Sequence, residues 1–273
     1  MSRIVGGLGV SHAPSIGAVY DRGESETAAW APLFAAIREG GEFLARLRPD
    51  ALVVIYNDHM DQNWLDNWPT FQVGVADQFL IADEGFGPRA FPPVPCQRRL
   101  AEHLSRSLVE QDFDIAVSRD MEVDHGIISP LPLFNERWIP IVPVGVNVVW
   151  EPLPTPRRCW QLGQALRRAI ESHEEGLRVA VVGTGGLSHE IDGPRFGTIH
   201  YEWDREFLDL IEKAPEKLTE YTMRQFQELG GHHSVEIVQW IAMRGALPGA
   251  RLAFKYYYPK QVMGYAVAAF EEG

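Results

Sequence analysis

Short apolar runs, rich in valine and isoleucine and bounded by glycine, proline or aspartate, alternate along this chain with longer stretches in which apolar residues recur at helical spacing. The short runs predict strands over Arg3–Gly9, Ala51–Tyr56, Phe71–Ala76, Asp114–Ser118, Pro140–Val146, Arg178–Gly183 and Val262–Phe270. The longer stretches predict amphipathic helices over Thr27–Leu47, Gln97–Gln111, Trp160–Glu175, Trp203–Lys213 and Ser234–Arg244. This alternation predicts an α/β fold with a central, largely parallel mixed sheet flanked by helices on both faces. No repeat, low-complexity tract or linker divides the chain, and the Pro-rich piece Phe91–Pro95 reads as a surface loop. Residues 1–273 are therefore expected to form a single domain.

Composition narrows the classes. The chain has 273 residues, 45% of them hydrophobic, enough for one large core. Its formal charge of −12 argues against a nucleic-acid partner. An anionic substrate would need a local positive site on so acidic a protein. Cys96 and Cys159 form no Cys-x-x-Cys pair, which predicts no disulfide framework and a reducing compartment. No apolar run approaches the roughly 20 residues that span a bilayer. The N-terminus lacks a signal-peptide pattern, so the expectation is a soluble, cytoplasmic protein that does not associate with membranes.

Candidate chemistry lies in the histidines. Of the nine in the chain, four stand where a predicted strand gives way to a loop. They are His12 in Gly-Leu-Gly-Val-Ser-His-Ala-Pro, His59 in Tyr-Asn-Asp-His, His125 in Val-Asp-His-Gly, and His189 in Gly-Thr-Gly-Gly-Leu-Ser-His. Strand ends are where α/β folds gather their chemistry, and converging imidazoles point to a metal, an acid/base pair, or both. The first segment admits two other readings. As a dinucleotide fingerprint it fails, because His12 replaces the third glycine. As a nucleophile elbow it offers Ser11, which makes a serine hydrolase the competing enzyme; Pro14 and Gly17 predict a loop where an elbow needs a helix.

A carboxylate completes the metal reading. Glu236 is embedded among Val235, Ile237, Val238 and Trp240, and a glutamate in that setting needs a partner unless it lies with Gln239 on a part-exposed helix face. Two histidines and one carboxylate suit non-haem Fe(II) and leave positions open; Mn(II) accepts the same ligands. His232 and His233 are expected as exposed residues at a helix start, and His103, His173 and His200 as surface residues. The glycines before His189 allow close backbone approach to a ligand or an anion-binding nest. His189 is placed to move protons. His125 is a candidate for orienting substrate or sharing protons, with Asp124 a candidate to hold its tautomer.

These motifs together resemble the class III, LigB-type extradiol ring-cleaving dioxygenases. The segments that carry the resemblance are Ser-His-x-Pro, Tyr-Asn-Asp-His, Val-Asp-His-Gly, Gly-Thr-Gly-Gly-Leu-Ser-His and Val-Glu-Ile-Val-x-Trp-Ile-Ala-Met-Arg-Gly-Ala-Leu, in that order from Ile4 to Leu247. The likeness is nearest to the catalytic β subunit of protocatechuate 4,5-dioxygenase and to gallate dioxygenase. It implies Fe(II) held by His12, His59 and Glu236, with His189 as acid/base residue and His125 near the substrate. The implied substrates are O2 and a catecholic aromatic acid of the gallate, 3-O-methylgallate or protocatechuate class, cut beside its diol. A family relative that kept the fold as a non-catalytic binding protein is the non-enzyme alternative. Lys255–Gly264 departs from the protocatechuate-type pattern and reads as a loop in which Lys260 is a candidate for the substrate carboxylate. Gallate dioxygenases carry a further small helical domain; its absence from this sequence implies a separate small α-type subunit, a homo-oligomer, or a more open site.

Overall fold

The structure is a computed structural model that describes residues 1–85, 87–135 and 137–273. In chain order its elements begin with β1 (Arg3–Val10), α1 (Pro14–Asp21), α2 (Ala31–Leu47), β2 (Ala51–Tyr56), β3 (Phe71–Gly74), β4 (Gln78–Ile81) and β5 (Val94–Pro95). They continue with α3 (Arg98–Glu110), β6 (Ala116–Ser118), β7 (Glu122–Val123), α4 (His125–Ile128), α5 (Leu131–Phe134), β8 (Ile141–Val146) and α6 (Pro156–Ser172). The last are β9 (Arg178–Thr184), α7 (Tyr201–Lys213), α8 (Met223–Gly230), α9 (Val238–Ala246), β10 (Arg251–Lys260) and β11 (Met263–Glu271).

The main sheet runs β10-β11-β1-β9-β2-β8-β3-β6, and β5-β4-β7 form a small second sheet. The centre, β1, β9, β2 and β8, is parallel, whereas β11 and β3 add antiparallel partners on either side. Both faces are buried. Val53, Val142, Val181 and Ala268 pack beneath α3, α6, α7 and α9, while Val54, Leu8, Val182 and Val267 pack beneath α1, α2, α4 and α5. That is why the central strands read as continuous apolar runs rather than alternating ones. α9 is buried along its whole length and is correspondingly apolar around most of its circumference. Among the described residues no helix is long and apolar enough to cross a membrane.

Several local expectations are corrected. Pro14 and Gly17 lie in α1, not in a loop, because Pro14 occupies the first helical turn, where its missing N–H costs nothing. The stretch containing Lys260 is the strand β10; it tolerates Pro259 because it is the sheet edge. The helix expected from Ser234 begins as a 3-10 segment, His232–Ile237, before α9. Within the Pro-rich piece, Val94 is buried and pairs with β4. His173 is buried rather than superficial, with Nδ1 3.0 Å from Ser2 Oγ.

Candidate active site

Neighbouring loops at the carboxyl edge of the parallel sheet build the site. β9 lies between β1 and β2, so the segments after these three strands, carrying His12, His59 and His189, emerge side by side. Glu236 is brought over the same edge by the 3-10 segment that leads into α9. Trp240, one turn further on, anchors this crossing with Nε1 donating to Gly185 O at 2.9 Å.

Glu236 is the hub. Its Oε1 lies 3.4 Å from His12 Nε2 and 3.5 Å from His59 Nε2, and its Oε2 lies 3.8 Å from His189 Nε2. Gly186 N donates to Oε2 at 2.9 Å, so the glycine-rich turn is an anion-binding nest whose anion is this chain's own carboxylate. Gly185 has φ +96°, and a Cβ there would press on both Glu236 and His12. Burial opposes charge on Glu236, yet His12 and His189 outweigh it and hold its carboxyl well below the usual range.

The histidines are set by their outer nitrogens. His59 Nδ1 donates to Asp124 Oδ2 at 2.9 Å, and the same oxygen accepts from His59 N at 2.7 Å. His125 Nδ1 donates to Glu84 Oε2 at 2.8 Å, and Glu84 Oε1 accepts from the His125 backbone N–H. Asp124 therefore holds His59, whereas Glu84, 41 residues upstream, holds His125. As N-cap of α4, Asp124 points its other oxygen at Gly126 N, which turns it away from the adjacent ring. His189 Nδ1 donates to Leu187 O at 3.1 Å, and His12 Nδ1 lies 3.1 Å from Thr184 Oγ1. A carboxylate or carbonyl only accepts, so His59, His125 and His189 carry a proton on Nδ1. In the neutral rings Nε2 keeps its lone pair, the arrangement in which imidazole binds a metal or takes a proton.

The donors fit a divalent cation. His12 Nε2 is buried without a hydrogen-bond partner, and burial holds its pKa down. Among the described residues Glu236 forms ion pairs with histidines alone. Burial disfavours charge on His59, but Asp124 and Glu236 overcome it and raise the ring to about 10, so a proton takes the cation's place when none is bound. The Asn57 amide points instead to the neutral ring: Nδ2 lies 2.9 Å from His59 Nε2, and Gln239 Nε2 donates to Oδ1 at 2.8 Å. The ring nitrogens of His12, His59 and His125 also lie within 4.8 Å of one another. His125 lacks a comparable contact with Glu236 and sits over His59 with ring centroids 3.7 Å apart. It is thus a neighbour of the His12, His59 and Glu236 donors.

Two cavities open on the site. One of about 310 Å³ is lined by Asn57, His59, His232, His233, Val149 and Glu236. The other, about 530 Å³, is lined by Ser15, Glu84, Arg89, His125 and Ser129. His233 is half-buried against His189, with ring centroids 5.4 Å apart, rather than exposed as expected; His232 is exposed. Lys260 lines neither cavity among the described residues, and its Nζ lies 5.2 Å from the Trp30 ring centroid. Ser11 follows its strand into a helix as an elbow would, but it is buried and bonds both ways with Ala266 on β11. Asn57 and Glu84 escaped the sequence reading, and Gln239 and Glu236 are both buried rather than on a part-exposed face. Only Asn57 carried a signal, its place in Tyr-Asn-Asp-His.

Known proteins resemble this chain over most of its length. The family described as the catalytic LigB subunit of aromatic ring-opening dioxygenase matches residues 6–270. Gallate dioxygenase of Pseudomonas putida is 44% identical over 197 residues, covering 70% of this chain and 58% of that protein. This chain thus spans less than two thirds of that relative's length. A 2,3-dihydroxyphenylpropionate/2,3-dihydroxicinnamic acid 1,2-dioxygenase of Rhodococcus jostii is 27% identical over 310 residues, covering 95% of this chain and 96% of the relative. Among solved structures, an uncharacterized protein of Escherichia coli K12 shares the fold with a TM-score of 0.62 at 14% identity, covering 97% of this chain and 99% of that one. The chain belongs to the LigB family, the catalytic subunits of aromatic ring-opening dioxygenases.

Proposed function

We propose that this chain is a non-haem Fe(II)-dependent extradiol dioxygenase that opens the ring of a catecholic aromatic acid, of the gallate, 3-O-methylgallate or protocatechuate class, and inserts both atoms of O2. The observation that carries this reading is the buried Glu236 carboxylate shared by two imidazoles, at 3.4 and 3.5 Å, with a third at 3.8 Å on its other oxygen. Relatives named for gallate and for 2,3-dihydroxyphenylpropionate, both rings with adjacent hydroxyls and a carboxylate, support the substrate class. In this reading His12, His59 and Glu236 hold the metal, which when bound supplies open positions for the diol and dioxygen and an electron path between them.

The chain's own groups do the rest. His189, with Nδ1–H committed to Leu187 O, offers Nε2 to take a proton from a substrate hydroxyl and later return it. His125, held by Glu84, orients the ring from the larger cavity. His59 and Glu236 line the smaller cavity together with Val148, Val149 and Val235. We further propose a cytoplasmic homo-oligomer, with or without a small α-type subunit over the site.

Oxygen consumption by the chain, reconstituted anaerobically with Fe(II), tests the proposal across gallate, 3-O-methylgallate, protocatechuate and simple catechols. The expected result is substrate-dependent uptake that a chelator abolishes. Iron-loaded protein that consumes no oxygen with any of these rings would overturn it.

A further inference from the structure

We propose that Asp204, a carboxylate on α7, is a positioning residue that fixes the ring of His189; this rests on the proton-carrying role given to His189 above. Asp204 is wholly buried, and its oxygens are saturated by one short segment and one tyrosine. Oδ1 accepts from Ser188 N at 2.8 Å. Oδ2 accepts from Ser188 Oγ at 2.8 Å and from Tyr257 Oη–H at 2.6 Å. Ser188 Oγ in turn accepts from His200 N at 3.0 Å. A buried carboxylate persists only when donors replace its lost water, and here two of the three donors belong to the residue that immediately precedes His189.

The same segment is stitched to β11 from its other side. Leu187 N donates to Gly264 O at 2.8 Å, and Gly264 N donates to Ser188 O at 2.9 Å. Gly264 packs so closely that a Cβ there would collide with Asp204 Oδ2. Leu187 and Ser188 are thereby clamped between α7 and β11. What the clamp holds in place is Leu187 O, the acceptor that keeps the proton of His189 on Nδ1 and leaves Nε2 facing Glu236. A neutral amide at position 204 fills the same space but cannot accept from all three donors. The link runs from Asp204 through Ser188 and the Leu187 carbonyl to the tautomer of His189.

The experiment pairs a spectroscopic readout with kinetics in Asp204→Asn and Tyr257→Phe. Nitrogen-detected NMR of the histidine rings in the Zn(II)-loaded protein reports the His189 tautomer without reference to turnover. We expect a single Nδ1–H form in the wild type and a mixture in Asp204→Asn. The Fe(II)-loaded Asp204→Asn enzyme should lose about 10–100-fold in kcat, the range for residues that orient a functional side chain, at unchanged iron content and KM. Tyr257→Phe, which keeps two of the three bonds, should move both readouts the same way by less, and it decides the question should Asp204→Asn fail to fold. A wild-type tautomer and a wild-type kcat per iron-loaded molecule, even with a lowered Tm, would overturn the proposal. A tautomer that shifts in a protein with no oxygenase activity would refute the proposed function and still support the clamp.

Discussion

The two flanks of the site are built on different principles. On the inner flank, His12 and Glu236 are only 2% and 6% exposed and are held by the sheet itself, through Thr184 at the end of β9 and the Gly186 amide beyond it. On the outer flank, His59 and His125 are half-buried and held by carboxylates, Asp124 and Glu84, from segments around the small second sheet. The inner flank is preorganised by the core, through burial and hydrogen bonds to the sheet. Geometry on the outer flank depends on charge pairs that solvent reaches more easily, and both cavities open there. Metal retention should therefore depend most on the inner flank, and substrate choice on the outer one.

Breaking the inner flank should have the largest effect. His12→Ala or Glu236→Ala should abolish stoichiometric Fe(II) binding, measured as iron per chain after anaerobic loading and desalting; a full complement in either variant would end the ligand assignment. Next comes His189→Ala, expected to keep its iron while kcat drops roughly 10²–10⁴-fold. A near-normal rate there would remove His189 from proton transfer. Asp124→Asn attacks the outer flank through His59 and should weaken metal affinity by about 10–100-fold, read by competition with a chelator of known affinity.

Smaller effects sharpen the same contrast. The carboxylates raise His59 to about 10. Below that pH a proton occupies the ring and must leave when the metal binds, so apparent affinity should fall with falling pH, by up to about tenfold per unit. A pH-independent affinity would mean that His59 is not a ligand. Glu84→Gln should disturb His125 alone and raise KM by about two- to fivefold, the roughly 0.5–1 kcal/mol of one hydrogen bond, with iron content unchanged. Loss of iron in that variant would place His125 among the ligands.

Much of this was legible in the sequence. Valine- and isoleucine-rich runs marked the central strands because parallel strands buried on both faces have no alternation to hide in. The histidines at their ends were visible for the same reason: a polar residue that closes an apolar run stands out. Glu236 was conspicuous because nothing nearby in sequence could satisfy it. Pairing across the fold was less accessible. Asp124 is adjacent to His125 in sequence yet holds His59, because its role as N-cap of α4 sets its direction. Glu84 and Asp204 gave no sign, since each meets its partner only after loops from different elements come together. The edge strand β10 was hidden by Pro259, which an edge position accommodates.

The most direct test of the central claim is to supply isotopically heavy dioxygen to the Fe(II)-loaded protein with its best catecholic acid and to weigh the product. Both heavy atoms in a ring-opened product are the predicted result. A product that carries one heavy atom, or none while oxygen is still consumed, would contradict ring cleavage by dioxygen insertion and with it the function proposed for this site.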